Sequence, residues 1–300
     1  MTKEIFKSGF VAVIGRPNAG KSTLVNKIIG EKVAIVSEKA QTTRNTIRGI
    51  YTDEDMQAVF LDTPGIHKPK YRLGKYMVEA AQNSMEGVDV IFYIIDSSLS
   101  FGRGEEFIIE TLKDKQTPVY LLVNKIDLLE REKLLPLLAE LSIKMNFKEI
   151  IPISAFTGEN VEHLLDVLKK ELPEGPQYYP EDMVSDLPEQ VLVSELIREQ
   201  VLILTRDEVP HSVAVTVSQM EERQNGKLYI YANIYVDRES QKGIIIGHKG
   251  EMLKKIGTGA RKEIEKIFAC STFLELRVKT KRDWRDNEML LKDWALTPEK

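Results

Sequence analysis

The feature that most restricts what this chain can become is the run Gly15-Arg16-Pro17-Asn18-Ala19-Gly20-Lys21-Ser22, a G-x4-G-K-S loop between an apolar stretch and an amphipathic one. Upstream, Phe10-Val11-Ala12-Val13-Ile14 has no polar member, the pattern of a strand buried on both faces. Downstream, residues 23–30 carry helical spacing and close on Gly30. Strand, glycine-bearing turn and helix in that order gather backbone N–H groups and the positive end of a helix around one point, where a polyphosphate is held. In such a loop Lys21 reaches the β- and γ-phosphates and the Ser22 hydroxyl sits on Mg²⁺. Thr23, next along the helix, belongs to the same nucleotide-binding set.

At 300 residues the chain exceeds one typical domain, and about two are expected. Its single cysteine, Cys270, rules out an internal disulfide and fits a reducing compartment. The amino-terminal residues lack a long apolar run, and the longest such run, 90–95, falls far short of the ~20 residues that span a bilayer. A cytoplasmic monomer is expected, with peripheral contact on the inner face of the cell membrane left open. The net charge of −4 is unevenly spread, and between Arg238 and Arg285 there are 13 basic against 6 acidic residues. A basic surface in the second half points toward nucleic acid.

The first half continues as alternating strands and helices. Residues 56–61 read as a strand ending in Asp62-Thr63-Pro64-Gly65, where the aspartate can orient Mg²⁺ and the glycine amide can sense a γ-phosphate. Helices are expected over 73–85, 105–115, 132–145 and 161–171, and strands over 47–51, 88–95, 119–123 and 149–153. The strand 119–123 runs into Asn124-Lys125-Ile126-Asp127. A carboxylate at Asp127 only accepts hydrogen bonds, so it suits the N1–H and 2-amino donors of guanine and would be left unpaired by adenine. Asn124 can bond the base edge and brace the loop, and the Lys125 stem can lie over the ring. Ser154, Ala155 and Phe156 follow the last strand, with amides placed to meet guanine O6.

This order of motifs resembles that of the translation-factor-like and Ras-like GTPases, which implies a doubly wound α/β domain with its site at the carboxyl ends of the strands. The resemblance makes Thr43, before Arg44, the threonine that ligates Mg²⁺ beside Ser22 and Asp62; Thr42 is the alternative, and spacing does not separate them. Catalysis is expected to rest on Lys21, Thr43 and Gly65. Ras-like enzymes carry glutamine after D-x-x-G, whereas this chain has Ile66. An aliphatic side chain cannot orient a water, so intrinsic hydrolysis should be slow unless backbone, a partner or another ion places it. GTPases that share this loop and a hydrophobic residue at that position use the loop asparagine to bind K⁺, and the likeness extends that expectation to Asn18.

Residues 172–188 contain four prolines and one glycine, which reads as a partly ordered interdomain strap carrying two tyrosines. Beyond it, a helix over 189–204, a hairpin of strands 211–220 and 227–236, a short helix, Gly247-His248-Lys249-Gly250, a helix over 251–268 and a strand over 273–278 resemble a type II KH domain, an α+β unit. KH folds use the G-x-x-G turn to clamp the backbone of about four unpaired nucleotides. Ile246, Gly247, His248, Lys249, Gly250 and Lys254 are the candidate contacts. Lys281, Arg282, Trp284 and Arg285 interleave cations with an indole, which suits phosphate contact and base stacking; anchoring of the last helix by Trp284 is the competing reading.

The two halves, with Gln41-Thr42-Thr43-Arg44-Asn45, Asp62-Thr63-Pro64-Gly65-Ile66-His67-Lys68-Pro69-Lys70 and Ser240-Gln241-Lys242-Gly243-Ile244-Ile245-Ile246-Gly247, resemble the Era-type GTPases of bacteria over nearly the whole chain. Ala19 stands where valine is common in that family. The resemblance implies a GTPase domain over 1–172, a linker over 173–188 and a KH domain over 189–300. It also implies GTP and GDP as ligands and the 3′ end of 16S rRNA in the small ribosomal subunit as partner, with a role in subunit maturation. A tRNA-modification GTPase and an RNA chaperone with structural nucleotide are the alternative readings.

Overall fold

The computed structural model describes residues 6–39, 41–224 and 226–297. In the first half, strands β1 (Lys7–Gly15), β2 (Ile47–Thr52), β3 (Met56–Asp62), β4 (Val90–Asp96), β5 (Val119–Asn124) and β6 (Glu149–Pro152) form one sheet in the order β2-β3-β1-β4-β5-β6. β2 runs antiparallel to β3, and every other neighbour pair is parallel. Helices α1 (Lys21–Ile29), α2 (Arg72–Asn83), α3 (Arg103–Leu112), α4 (Arg131–Ser142) and α5 (Val161–Glu171) cover both faces.

Alternation along β1 explains its unbroken apolar run. Val11 and Val13 join one core with Leu24 of α1 and Leu164 and Leu168 of α5, whereas Ala12 and Ile14 join another with Ile108 and Leu112 of α3. Each successive side chain therefore meets a different helical layer, and neither face tolerates a polar residue.

The strap is ordered by one buried amide. Gln57 Oε1 accepts from the N–H groups of Tyr178 (2.7 Å) and Tyr179 (2.9 Å), and its Nε2 donates to the Tyr179 carbonyl at 2.9 Å. Tyr178 packs against Phe10 with ring centres 5.2 Å apart. Further on, Ile50 N–H donates to the Val184 carbonyl, so the strap also covers the free edge at β2.

The second half places α6 (Glu189–Leu204), α7 (Glu239–Ile246) and α8 (Glu251–Phe268) on one face of a sheet ordered β7-β8-β9, from β7 (Ala214–Glu222), β8 (Leu228–Val236) and β9 (Thr272–Thr280). β7 and β8 are antiparallel, β8 and β9 parallel. The expected start of β7 at 211 is displaced because Pro210–Ser212 forms a tight helical turn instead. A last helix, α9 (Glu288–Asp293), returns toward the first half, where Leu73 and Met77 of α2 share a core with Ala214, Trp284 and Leu291. No described helix is long and apolar enough to cross a membrane.

Candidate nucleotide site and KH groove

The loop after β1 turns on positive backbone angles at Asn18 (φ 66°) and Gly20 (φ 102°). Gly20 has no alternative here, because a Cβ would lie 2.1 Å from Asn124 Nδ2. Around the start of α1 three oxygen donors converge. Ser22 Oγ donates to Asp62 Oδ2 at 2.6 Å and lies 2.9 Å from Thr43 Oγ1, which is itself 3.5 Å from Asp62 Oδ2. Asp62 Oδ1 is buried without a hydrogen-bond partner among the described residues. Two hydroxyls and a carboxylate with an unengaged oxygen form a hard, incomplete donor set that suits Mg²⁺ completed by phosphate oxygens and water. Thr42 lines the same cavity but its hydroxyl is engaged locally, donating to the Lys39 carbonyl at 2.6 Å and lying 2.8 Å from Ser37 Oγ.

Burial shapes the charges at this point. It raises Asp62 to about 6, against the opposing pull of Lys21 and the Ser22 and Thr43 hydroxyls. It lowers Lys21 to about 8, with Asp62 acting in the other direction. Lys21 Nζ donates to the carbonyls of Gly15 (3.3 Å) and Arg16 (3.0 Å), which holds it in the mouth of the loop. The Arg16 side chain points elsewhere and pairs with Glu105 at 3.0 Å. The segment after Asp62 docks on the loop through Ile66 N–H to the Gly15 carbonyl, 3.1 Å. Ile66 itself is buried in the core behind the site and offers nothing to a water.

A cavity of about 840 Å³ joins these groups. Pro17, Asn18, Gly20, Thr23, Gly65 and Lys125 line it. Next to Lys125, Asn124 is fully engaged as a brace: Nδ2 donates to the Ala19 carbonyl and Oδ1 accepts from Ala155 N–H, both at 2.8 Å. Ser154 Oγ donates to Asp127 Oδ1 at 2.5 Å, fixing the carboxylate. Lys125 pairs with Asp96 at 2.5 Å, and Asp96 lies outside the sequence-derived set. Phe156 is exposed.

Sequence reasoning missed how the second domain enters this site. Leu202, Ile203, Thr205 and Arg206 of α6 and the residues after it line the same cavity. Arg198 Nη2 donates to the Thr42 carbonyl, Arg44 Nη1 donates to the Val213 carbonyl at 2.7 Å, and Val36 N–H donates to Glu199 at 3.0 Å. Lys32 pairs with Glu199 (2.6 Å) and Glu263 (2.9 Å). The one available signal was Arg198-Glu199, a charged pair between Ile197 and Val201 on the apolar spacing of the helix. His67 was likewise missed: its Nδ1 lies 2.8 Å from the Gly65 carbonyl and its Nε2 2.9 Å from Gln41, joining the two segments that flank the metal donors.

In the second domain the G-x-x-G turn stands between α7 and α8 as expected. Gly247 is left-handed (φ 71°), and a Cβ there would lie 2.7 Å from Met252 Cβ. His248 and Lys249 are exposed at the tip and Ile246 is half-buried behind it. A groove of about 540 Å³ runs from Gly250 and Lys254 past Gly257 and Arg261 to Leu274 and Leu276 of β9. Lys281 and Arg282 are exposed beyond β9. Trp284 corrects the sequence reading: it is fully buried, donates through Nε1 to the Ser212 carbonyl at 2.9 Å, and is closed off from a base. Arg285 is also turned inward, paired with Asp237 at 2.6 Å and set over the Tyr71 ring at 3.9 Å.

Comparison with known proteins agrees with both halves. Residues 10–125 match the family described as 50S ribosome-binding GTPase, and residues 208–285 match the KH domain family. Two similar solved structures are Era in complex with MgGDPNP and nucleotides 1506–1542 of 16S ribosomal RNA, and an alanine variant of Aquifex aeolicus Era bound to GDP and AlF4⁻. The first shares 42% identity over 97% of this chain and 99% of that one, with a TM-score of 0.95. The second shares 42% identity over 97% of this chain and 100% of that one, with a TM-score of 0.94. On fold, paired domains and identity across the full length of those relatives, the chain belongs to the Era family of GTPases.

Proposed function

We propose that this chain binds GTP, hydrolyses it slowly to GDP and phosphate, and uses its KH domain to hold the 3′ end of 16S rRNA during maturation of the small ribosomal subunit. The observation that carries the reading is the convergence of Ser22, Thr43 and Asp62 beside Lys21, in a chain whose second domain presents a G-x-x-G turn over an open groove. Gly15 to Thr23 cradle the phosphates, with Lys21 as their cation and Mg²⁺ held by Ser22, Thr43 and Asp62 when bound. Asp127 takes the guanine N1–H and amino donors, while Asn124, Lys125, Ser154 and Ala155 shape the base pocket. Ile246 to Gly250, Lys254, Lys281 and Arg282 grip RNA. The GTPase unit is read as 1–172, the strap as 173–188 and the KH unit as 189–300.

K⁺ beside Asn18 is part of this reading. With Ile66 buried, no side chain follows D-x-x-G to orient water, and an added cation supplies positive charge to the transition state. Turnover faster in K⁺ than in Na⁺ at matched ionic strength is the expected result.

RNA crosslinking with a GTP analogue and with GDP, on the natural chain and on Lys249→Glu, tests the whole. Lys249→Glu is expected to weaken RNA binding and leave GTP affinity unchanged; loss of both together counts against separate sites. Zero single-turnover hydrolysis with and without RNA would favour a chaperone with structural nucleotide.

A further inference from the structure

The sheet of the second domain has two unlike faces. Ile230, Ala232, Ile234 and Val236 of β8 are fully buried against the helices, so alternation sends Tyr229, Tyr231, Asn233 and Tyr235 to the opposite face. The parallel register with β9 sets Tyr229 beside Phe273 on that second face. The carboxyl-terminal segment covers one end of it, where Trp294 stacks on Tyr235 with ring centres 4.4 Å apart. At the other end the Tyr229 and Phe273 rings stack nearly parallel, 5.9 Å apart and 15° from coplanar. Phe273 is 55% exposed. The Arg223 guanidinium lies 4.0 Å from the Tyr229 ring centre and 5.9 Å from that of Phe273.

Position gives this pair its meaning. β9 is an edge strand, and Phe273 also lines the groove in front of the G-x-x-G turn. It therefore stands where the groove opens onto the uncovered sheet face. A KH groove accommodates about four nucleotides, so a longer unpaired strand must leave it over a neighbouring surface. Aromatic rings beside an arginine suit a base, since every base has a π-face to stack.

We propose that Tyr229 and Phe273 form a second RNA contact, which stacks an unpaired nucleotide flanking those in the KH groove. This rests on the reading of the groove as an RNA site. The patch reads base rather than phosphate: Tyr229 donates to Glu275 at 3.1 Å and lies across from Glu221, and these carboxylates offset the nearby Arg223 charge. Its contribution should accordingly vary little with salt, unlike phosphate contacts.

Binding of a four-nucleotide and a ten-nucleotide unpaired RNA to the full chain with GDPNP and Mg²⁺ tests it, using Tyr229→Ala, Phe273→Ala, Phe273→Leu and Lys249→Glu. Tyr229→Ala, outside the groove lining, is expected to bind the short RNA within about twofold of the natural chain and the long one about tenfold more weakly, and the Phe273 variants, at the groove's rim, to lose more with the long RNA than with the short, in each case equally at low and high salt. Phe273→Leu keeps apolar bulk at an exposed position, so its loss isolates the ring. A long RNA carrying 5-iodouridine should crosslink to Tyr229 or Phe273. Unchanged affinity of the patch variants for the long RNA, with Lys249→Glu still impaired, overturns this inference alone. Failure of the natural chain to bind either RNA overturns the groove reading and this one with it. Weaker association with small subunits but unchanged RNA binding makes the patch a protein contact and overturns it as well.

Discussion

Arg198, on the first helix of the second domain, donates to the carbonyl of Thr42, one residue before the threonine whose hydroxyl meets Ser22 and Asp62. On the other side of Thr43, Arg44 reaches the Val213 carbonyl and lies 5.4 Å from the Trp284 ring centre. The candidate metal ligand is thus held by both of its neighbours.

The two arginines should respond oppositely to removal. Arg44 is buried with no carboxylate hydrogen-bonded to it among the described residues, and desolvation, with Arg198 adding to it and Glu195 opposing, lowers its guanidinium to about 9. Arg44→Met removes a costly buried charge, which offsets the bond of about 1 kcal/mol lost at the Val213 carbonyl, and should leave thermal stability equal or slightly higher while loosening the segment around Thr43. Arg198→Ala strands Glu195, to which Arg198 Nε donates at 2.8 Å, and should cost about 3–5 kcal/mol. Thermal melts of both variants, read with proteolysis of that segment, check the contrast.

Thr43 and Thr42, alike in sequence, should separate cleanly in kinetics. Thr43→Ala deletes the hydroxyl 2.9 Å from Ser22 Oγ and should lower Mg²⁺-dependent hydrolysis by about 10- to 100-fold with GDP affinity nearly unchanged. Thr42→Ala loses a local bond to the Lys39 carbonyl, worth about 1 kcal/mol, and should retain most activity. Equal losses from the two would show that Thr43 has no special place.

Much of this site was legible because its motifs are local. Strand periodicity placed Gly15, Asp62 and Asn124 at strand ends, and the parallel sheet then had to bring those ends to one edge. The contribution of α6 was not legible, because contacts such as Arg198 to Thr42 join residues 156 positions apart. Trp284 failed for a related reason. A basic run with an indole has the same pattern whether the ring faces solvent or packs, and its burial depends on α2 and α9, brought together only by the complete fold.

The seam between domains should carry a pH signature. Burial alone would pull Lys32 down, but hydrogen bonds to Glu199 and Glu263 more than offset it and leave the amine raised. The same contact holds Glu263 below its ordinary value. A lowered carboxyl stabilises the fold above its unfolded pKa of 4.5 and loses that effect as pH falls through the folded value; a raised amine acts below 10.5 and loses its effect above. Lys32→Met should therefore cost about 1–2 kcal/mol near neutrality, reduced by partial exposure. The difference from the natural chain should shrink in acid, as thermal melts across pH would reveal. A constant difference down to pH 3 would show that packing, not charge, sets it.

Base choice supplies the sharpest chemical test. Asp127 presents a carboxylate fixed by Ser154 at 2.5 Å, so in the proposed site guanine would meet two acceptors of defined position. Asn in its place keeps the shape but turns one acceptor into a donor, which faces the guanine 2-amino group donor to donor. Asp127→Asn should weaken GTP binding by at least about 100-fold, since a site built to accept from guanine would then set donor against donor. Xanthine carries a carbonyl at that ring position, and the new amide donor matches it, so XTP affinity should rise as GTP affinity falls. Competition binding with GTP, XTP and ATP separates this from simple damage. A damaged pocket loses GTP and gains nothing, whereas a pocket that reads hydrogen bonds exchanges GTP for XTP and continues to reject ATP.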